Sequence, residues 1–227
     1  MTFICYFLNI GFKRAGKKLF DLALRGNANG KSWPIWGTCS GFELLVSLSI
    51  NETDSLTICN AKGQYIPLNI TSTFNISKIG RTVRQYMHTM LTTKNTTFNH
   101  HKKCLTPANF SNFEMDNFWN ILSTNHDMDG LEFISLIEAK EYPIWGSIFH
   151  PEKPAYEWTV HYTNWPKNKN SVHAGSFFSE FFFEQARKNN HKFIDRQTEE
   201  KYLIYNHMPH FTGNINWDAT FMQTYFF

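Results

Sequence analysis

The clearest chemical signal in this 227-residue chain is a cysteine flanked by small residues. Cys39 is the centre of Gly37-Thr38-Cys39-Ser40-Gly41, which joins a short apolar stretch at 33–37 to the helical pattern of 41–49. In such an elbow the nucleophile has a strained backbone, so the residues two before and two after it must lack bulk. A helix N-terminus stabilises a thiolate, and the backbone amide of Ser40 would form half of an oxyanion hole. The pattern predicts a nucleophile, with a buried structural cysteine as the alternative.

A second signal is the tripeptide His150-Pro151-Glu152, which follows the apolar stretch 141–149. Pro151 favours an extended backbone at His150, and α/β sheets gather their sites at the carboxyl ends of strands. We therefore expect His150 to act as general base toward Cys39 and then as general acid toward the leaving amine. Glu152 would hold the imidazole in the required tautomer. A surface turn is the alternative interpretation of the tripeptide.

These residues need a scaffold, and the apolar periodicity predicts its elements. The pattern predicts helices over 13–24, 41–49, 83–91, 113–122 and 176–188, and buried strands over 33–37 and 141–149. The stretch 122–136 predicts a hairpin that turns at Asp129-Gly130, because Asp-Gly tolerates the positive φ of a tight turn. No linker divides the sequence, so a single domain over 1–227 is expected.

Longer blocks around both signals carry a family resemblance. WPIWGTCSGFELL at 33–45 and YPIWGSIFHPEKPAYEW at 142–158 resemble the two signature blocks of the gamma-glutamyl hydrolases, in the class I glutamine amidotransferase-like superfamily. EFFFEQARKNNHKF at 180–193 and EEKYLIYNHMPHFTGNI at 199–215 are similar to the C-terminal region of that family. The resemblance implies an α/β fold, with a flavodoxin-like, mostly parallel sheet flanked by helices.

By position, the resemblance implies that Cys39 is the nucleophile, His150 the general base and Glu152 the acid associated with that histidine. The activity implied is a cysteine hydrolase that cleaves the γ-glutamyl bonds of folate or antifolate poly-γ-glutamates through a thioester. Neither a cofactor nor a metal is implied. The resemblance leaves open endo or exo cleavage, the preferred tail length and the choice between monomer and homodimer.

The family also has a His-Lys-Trp-Ser-Leu segment whose histidine holds the glutamate-like substrate. His101 resembles that histidine, in His101-Lys102-Lys103-Cys104-Leu105. Lys103 and Cys104 stand where the family has Trp and Ser. A substrate-binding role is therefore expected for His101, on a segment that departs from the family pattern.

The start of the chain is where the family pattern is missing. Family members carry a Pro-Gly-Gly loop before the counterpart of Lys13, and that loop donates the second amide of the oxyanion hole. Residues 1–11 contain no Pro-Gly-Gly, so we expect 1–12 to be a leader or a replaced segment, and the sheet to lack N-terminal strands. Loss of one oxyanion donor lowers the rate by about 100- to 1,000-fold. A catalytically impaired homologue that only binds substrate or has a structural role is therefore the competing hypothesis, and a glutamine amidotransferase component is a third.

Composition excludes several classes of protein. Hydrophobic residues make up 42% and charged residues 18%, which excludes charge-driven disorder. A net charge of +3 is too small to indicate a nucleic-acid partner, and no apolar run reaches the roughly 20 residues of a membrane span. The four cysteines are too widely spaced for a zinc or CxxC site and too few for a disulfide-built scaffold.

Two features of the sequence bear on location. Positive charge follows the apolar segment of residues 1–11 instead of preceding it, which is not typical of a secretory signal. Five N-x-S/T sequons favour secretion only slightly, at Asn51, Asn69, Asn75, Asn95 and Asn109. A lysosomal, vacuolar or extracellular location is therefore implied by the resemblance alone.

Overall fold

The computed structural model describes residues 10–157, 168–212 and 223–226. Their helices are α1 (Ile10–Ala28), α2 (Ser40–Ser49), α3 (Gln85–Thr93), α4 (Pro107–Asn112), α5 (Lys153–Tyr156), α6 (Lys169–Ala186) and α7 (Arg196–Lys201). Their strands are β1 (Ile35–Thr38), β2 (Thr57–Ile66), β3 (Asn69–Ile70), β4 (Thr97–Cys104), β5 (Trp119–His126), β6 (Glu132–Ala139), β7 (Ile144–Ser147), β8 (His210–Phe211) and β9 (Gln223–Thr224). Among these helices, none combines the length and apolar character needed to cross a membrane.

The α/β class is confirmed, and the main sheet has five strands in the order β1-β7-β6-β5-β3. Only β1 and β7 are parallel among the described pairs, while β7–β6, β6–β5 and β5–β3 are antiparallel. The expectation of a mostly parallel sheet is corrected here to a mixed one. The physical reason is the length of the connections, because residues 127–131 and 140–143 are too short for the crossover that parallel neighbours require.

The sheet is covered on both faces. Along β7, Ile144 packs into one apolar cluster and Trp145 into the other, since successive side chains of a strand point to opposite faces. Helix α2 contributes Phe42 to the first cluster, and α6 contributes Phe178 to the second. The strands that carry the predicted site therefore lie between two helical layers.

A separate antiparallel ribbon is formed by β2 and β4. Its register shifts between Ile58 and Ala61 and again between Lys62 and Gln64, where Gly63 has a φ of +83°. A disulfide joins Cys59 to Cys104 at one end of the ribbon. The ribbon is thus cross-linked as well as hydrogen-bonded.

Most of the predicted helices and strands are present, and one predicted helix is wrong. The helix expected over 113–122 is absent, because residues 119–126 form strand β5, which pairs with β6 along its length. That pairing buries Trp119, whose indole N–H donates to the hydroxyl of Ser49 (2.8 Å). Tertiary contacts override local periodicity here. The hairpin at Asp129-Gly130 is confirmed, with Gly130 at a φ of +86°.

The chain divides into two compact units. One comprises Met1–Glu157 with Asn164–Asn189, and the other comprises Trp158–Thr163 with Asn190–Phe227. In the second unit, Asp195 caps α7 by accepting from the backbone N–H of Thr198, and the short strands β8 and β9 pair. The expected single domain over 1–227 remains a prediction.

Candidate active site

Cys39 lies at the turn between β1 and α2, as the residue that caps the helix. Its backbone has φ 51° and ψ −106°, the positive-φ strain that the elbow pattern predicts. Its carbonyl accepts from the N–H of Glu43 (3.0 Å), which begins the helical hydrogen bonding. The side chain is 5% exposed and lies outside the disulfide. Ser40, the first residue of α2, carries the amide predicted for the oxyanion hole.

Gly37 and Gly41, which flank the elbow, differ in the space around them. A Cβ at Gly37 would lie 2.5 Å from the carbonyl oxygen of Gly41 and 2.6 Å from the side chain of Leu45. A Cβ at Gly41 would have no atom within 4 Å. The close strand–helix approach therefore requires glycine at the first position and tolerates a side chain at the second.

His150 reaches the same edge of the sheet from β7. Gly37 pairs with Gly146 in the parallel register, so β1 and β7 end side by side, and His150 follows three residues after β7. The N–H of His150 donates to the carbonyl of Phe98 (2.7 Å), which ties the loop after β7 to the ribbon. The predicted nucleophile and base thus both follow carboxyl ends of adjacent parallel strands.

Glu152 orients the histidine ring. Its Oε1 lies 2.7 Å from Nδ1 of His150, and because a carboxylate only accepts, Nδ1 carries the proton. Burial disfavours the ionised carboxylate, but the hydrogen bond and charge of His150 outweigh this and lower the pKa of Glu152. The Nε2 lone pair of His150 is then available for a proton from a thiol.

The loop that carries His150 is held by residues outside the tripeptide. Lys153 is buried and forms an ion pair with Glu157, with Nζ 2.6 Å from Oε2. On α6, a Cβ at Gly175 would overlap the carbonyl oxygen of Pro151.

Tyr65 stacks on Phe98 with ring centroids 4.6 Å apart. Burial, and then the charge of Glu157, raise the pKa of the Tyr65 hydroxyl.

His101 lies on the inner face of the ribbon. Its ring is 4% exposed and packs edge-on against Phe133, at 5.1 Å between ring centroids. Nδ1 lies 3.0 Å from the carbonyl oxygen of Lys103 and 3.5 Å from Sγ of Cys104. Burial lowers the pKa of His101 to about 4. The described contacts place this ring beside the disulfide, and its substrate-binding role remains a prediction.

The Cys59–Cys104 disulfide is not predictable from the sequence patterns above. Cys104 stands out there only as a replacement for the family's serine, and the 45-residue separation gives no local signature. With Nδ1 of His101, the two sulfurs form a buried Cys-His-Cys cluster whose atoms lie within 4.8 Å of one another. A metal ion could be held there only after reduction, because both sulfurs are bonded to each other.

No protein-family model matches the chain, but several curated proteins do. Gamma-glutamyl hydrolase B of Dictyostelium discoideum is 40% identical over 200 residues, which cover 86% of this chain and 56% of that protein. Gamma-glutamyl hydrolase of Rattus norvegicus is 36% identical over 218 residues, covering 96% of this chain and 67% of that protein. The human protein of the same name is 36% identical over 217 residues, 95% of this chain and 66% of that protein.

Among solved structures, a Thermoplasma acidophilum protein named as part of a GMP synthase aligns with 81% of this chain and 68% of its own. The TM-score is 0.40 at 12% identity, too low to support an argument about fold or function. The present chain spans 56% of the Dictyostelium protein and about two thirds of the rat protein. The identity to the rat protein extends over 96% of this chain, and it shows that the chain belongs to the gamma-glutamyl hydrolase family.

Proposed function

We propose that the chain catalyses hydrolysis of the γ-glutamyl bonds of folate or antifolate poly-γ-glutamates, with Cys39 as nucleophile. The observation that carries the proposal is the N–H of Cys39 donating to the carbonyl of Ser147, the last residue of the strand that leads to His150. This bond joins the strained elbow to the strand whose loop contains the His150–Glu152 pair. The similarity to gamma-glutamyl hydrolases supports the substrate class.

The proposed reaction has two steps that share one base. Nε2 of His150 takes the proton from the Cys39 thiol, and Sγ attacks the carbonyl carbon of the γ-amide. His150 returns the proton to the departing amine, which leaves a γ-glutamyl thioester on Cys39. A water molecule then attacks the thioester and gives a proton to His150. The carboxylic acid departs as the thiol is restored.

Charge develops on the substrate oxygen in both steps. The backbone N–H of Ser40, at the first turn of α2, is the donor we assign to that oxygen. The N-terminus of α2 also favours the thiolate form of Cys39, since the helix dipole stabilises negative charge at that end. The geometry of the elbow thus supports both the nucleophile and the oxyanion.

The test uses a pteroyl penta-γ-glutamate as substrate, with chromatography to follow its shortening. We expect the wild-type chain to release glutamate or glutamyl peptides, and Cys39→Ala to be at least 1,000-fold slower, roughly the loss that removal of a catalytic nucleophile causes. An exposed Ser179→Ala on α6 is the control, because it keeps the site intact. A well-folded wild-type chain that releases nothing would overturn the proposal and favour the impaired homologue. Release of ammonia from glutamine alone would favour the glutamine amidotransferase.

For location we propose a lysosomal, vacuolar or extracellular compartment. Disulfides persist mainly in oxidising compartments, and the Cys59–Cys104 bridge supports such a place. Of the sequon asparagines, Asn51, Asn69, Asn75 and Asn95 are exposed and could carry glycans. Glycosidase digestion of the protein from its native cells tests this proposal. An unchanged electrophoretic mobility, together with a location in a reducing compartment, would contradict it.

Light scattering on the same sample decides between monomer and homodimer.

A further inference from the structure

We propose that the outer face of the β2–β4 ribbon binds the α-carboxylates of the poly-γ-glutamate tail through Lys62, His100 and Lys102. This inference rests on the proposed function and assigns the tail a path away from the reacting bond. Each γ-linked glutamate keeps a free α-carboxylate, so the tail is a regularly spaced polyanion. None of the three residues belongs to the catalytic set described above.

The three side chains share one face of the ribbon. Lys62 is the register partner of His100, and directly opposed residues of an antiparallel pair point to the same side. Lys102 lies two positions beyond His100 on β4, which returns it to that side. The opposite face carries Ala61 and His101, both buried, so Lys62 and Lys102 are turned outward and exposed.

This row begins beside the predicted base. Phe98, two positions before His100 on the same face, stacks on the His100 ring at 5.6 Å between centroids. The Phe98 ring is 6.1 Å from the ring of His150, and its carbonyl accepts from the His150 N–H. Phe98, His100 and Lys102 therefore follow one another along β4, and the loop that carries His150 contacts the first of them. Because Phe98 is buried, we expect a tail that leaves His150 to pass over this ring and to reach His100 and Lys102 beyond it.

The spacing along the strand suits the repeat of the ligand. Residues i and i+2 of an antiparallel strand are about 6.8 Å apart. One γ-glutamyl unit adds five bonds between successive α-carbons, about 6 Å when extended. His100 and Lys102 can thus meet the carboxylates of neighbouring units. Lys62, across from His100, can meet the first carboxylate from the other side.

The charges around the row are mostly positive. Within the described residues neither Lys62 nor Lys102 forms an ion pair, while the carboxylates nearest to His150 are already engaged: Glu152 with His150 and Glu157 with Lys153. Burial, followed by the charges of Lys62 and His150, lowers the pKa of His100 to about 4. The neutral imidazole then contributes a hydrogen bond, and the two ammonium groups supply the charge. Such a surface attracts a polyanion and loses affinity as salt is added.

Binding is measured on Cys39→Ala protein, so that the probe is not consumed. The probes are fluorescein-labelled penta-γ-glutamate, the single γ-glutamate, and a penta-γ-glutamate with its α-carboxylates converted to carboxamides, followed by fluorescence anisotropy. We expect the double variant Lys62→Gln, Lys102→Gln to bind the penta-γ-glutamate probe roughly tenfold more weakly at low salt. The same double variant should bind the single γ-glutamate and the carboxamide probe with nearly unchanged affinity. Lys18→Gln, which removes one exposed positive charge on α1, is the control.

The same substitutions in the protein with Cys39 intact separate the two proposals. We expect kcat/KM for the penta-γ-glutamate to fall toward that for the di-γ-glutamate, with kcat for the shorter substrate unchanged. If the ratio of kcat/KM for the penta-γ-glutamate to that for the di-γ-glutamate stays at its wild-type value, this inference is overturned and the proposed function still stands. If no substrate is hydrolysed, the proposed function fails, and the anisotropy of the Cys39→Ala protein still decides whether the face binds the tail. An equal loss of affinity for the penta-γ-glutamate in Lys18→Gln would also overturn the assignment.

Discussion

The backbone N–H of Cys39 donates to the carbonyl oxygen of Ser147 across 2.8 Å. The bond extends the parallel ladder of β1 and β7 by one residue, into the elbow itself. Cys39 is therefore held by the strand that leads to His150 and also by the helix that it caps. A residue fixed on both sides can keep a strained backbone.

Replacing Cys39 separates backbone strain from chemistry. Its φ of 51° and ψ of −106° lie where glycine is favoured, so alanine there keeps a strain of about 1–3 kcal/mol that glycine relieves. We expect Cys39→Gly to be more stable than Cys39→Ala by about 1 kcal/mol, although both lack the thiol. Urea unfolding of the two variants is the measurement. Equal midpoints with equal slopes would show that the elbow is relaxed.

The glycines on either side of Cys39 should respond differently to the same substitution. Gly37→Ala places a Cβ 2.5 Å from the carbonyl oxygen of Gly41. We expect this variant to lose about 1–3 kcal/mol of stability and most of its hydrolytic activity. Gly41→Ala meets no atom within 4 Å and should be neutral or slightly stabilising. Thermal unfolding and hydrolysis rates of the two variants check this. The reverse order of stability would contradict the close strand–helix approach.

Glu152→Gln should slow the reaction without removing the nucleophile. The carboxylate accepts from Nδ1 of His150, whereas an amide can donate and so favour the wrong tautomer. We expect kcat to fall by about 100- to 10,000-fold. The pKa of Glu152 is lowered, so in the wild type the pair adds stability above pH 4.5 that is lost as the pH falls toward the folded value. Glu180→Gln, exposed on α6, is the control for a simple change of charge.

His101 should make the fold sensitive to acid. Its pKa is lowered from 6.5 to about 4, so between these values the unfolded chain takes up a proton that the folded chain does not. The free energy of unfolding should therefore decrease as pH falls, with His101 contributing about 2 kcal/mol between about pH 7 and pH 4.5. Urea titrations of wild type and His101→Gln at both pH values test this. The variant should lose less stability on acidification, whereas His126→Gln, exposed on β5, should behave as wild type.

The disulfide should contribute strongly to stability. Cys59 and Cys104 are 45 residues apart in sequence, and closing a loop of that length stabilises the fold by about 4 kcal/mol in the chain-entropy description. We expect a dithiol reductant to lower the urea midpoint of Cys39→Ala protein. A triple variant that also carries Cys59→Ala and Cys104→Ala should be indifferent to the reductant. A reductant effect of equal size in both proteins would assign it to something other than this bridge.

The local elements that carry the predicted site are predictable from sequence alone. Small residues around Cys39, and an apolar stretch before His150, are sufficient to predict a strand–elbow–helix unit and a strand that leads to His150. These signals are local, because they depend on sterics and periodicity within a short segment of the chain. The same is true of the hairpin at Asp129-Gly130, whose φ of +86° at Gly130 the dipeptide predicts.

The long-range relationships, in contrast, depend on the folded chain as a whole. Residues 119–126 are a strand because β6 pairs with them, and the sheet is mixed because two of its connections are short. The Cys59–Cys104 bridge, the buried place of His101 and the row Phe98, His100, Lys102 all depend on how β2 and β4 pair. The two strands are far apart along the chain, and the energies that align them are spread over many side-chain contacts. Local sequence patterns do not contain that information.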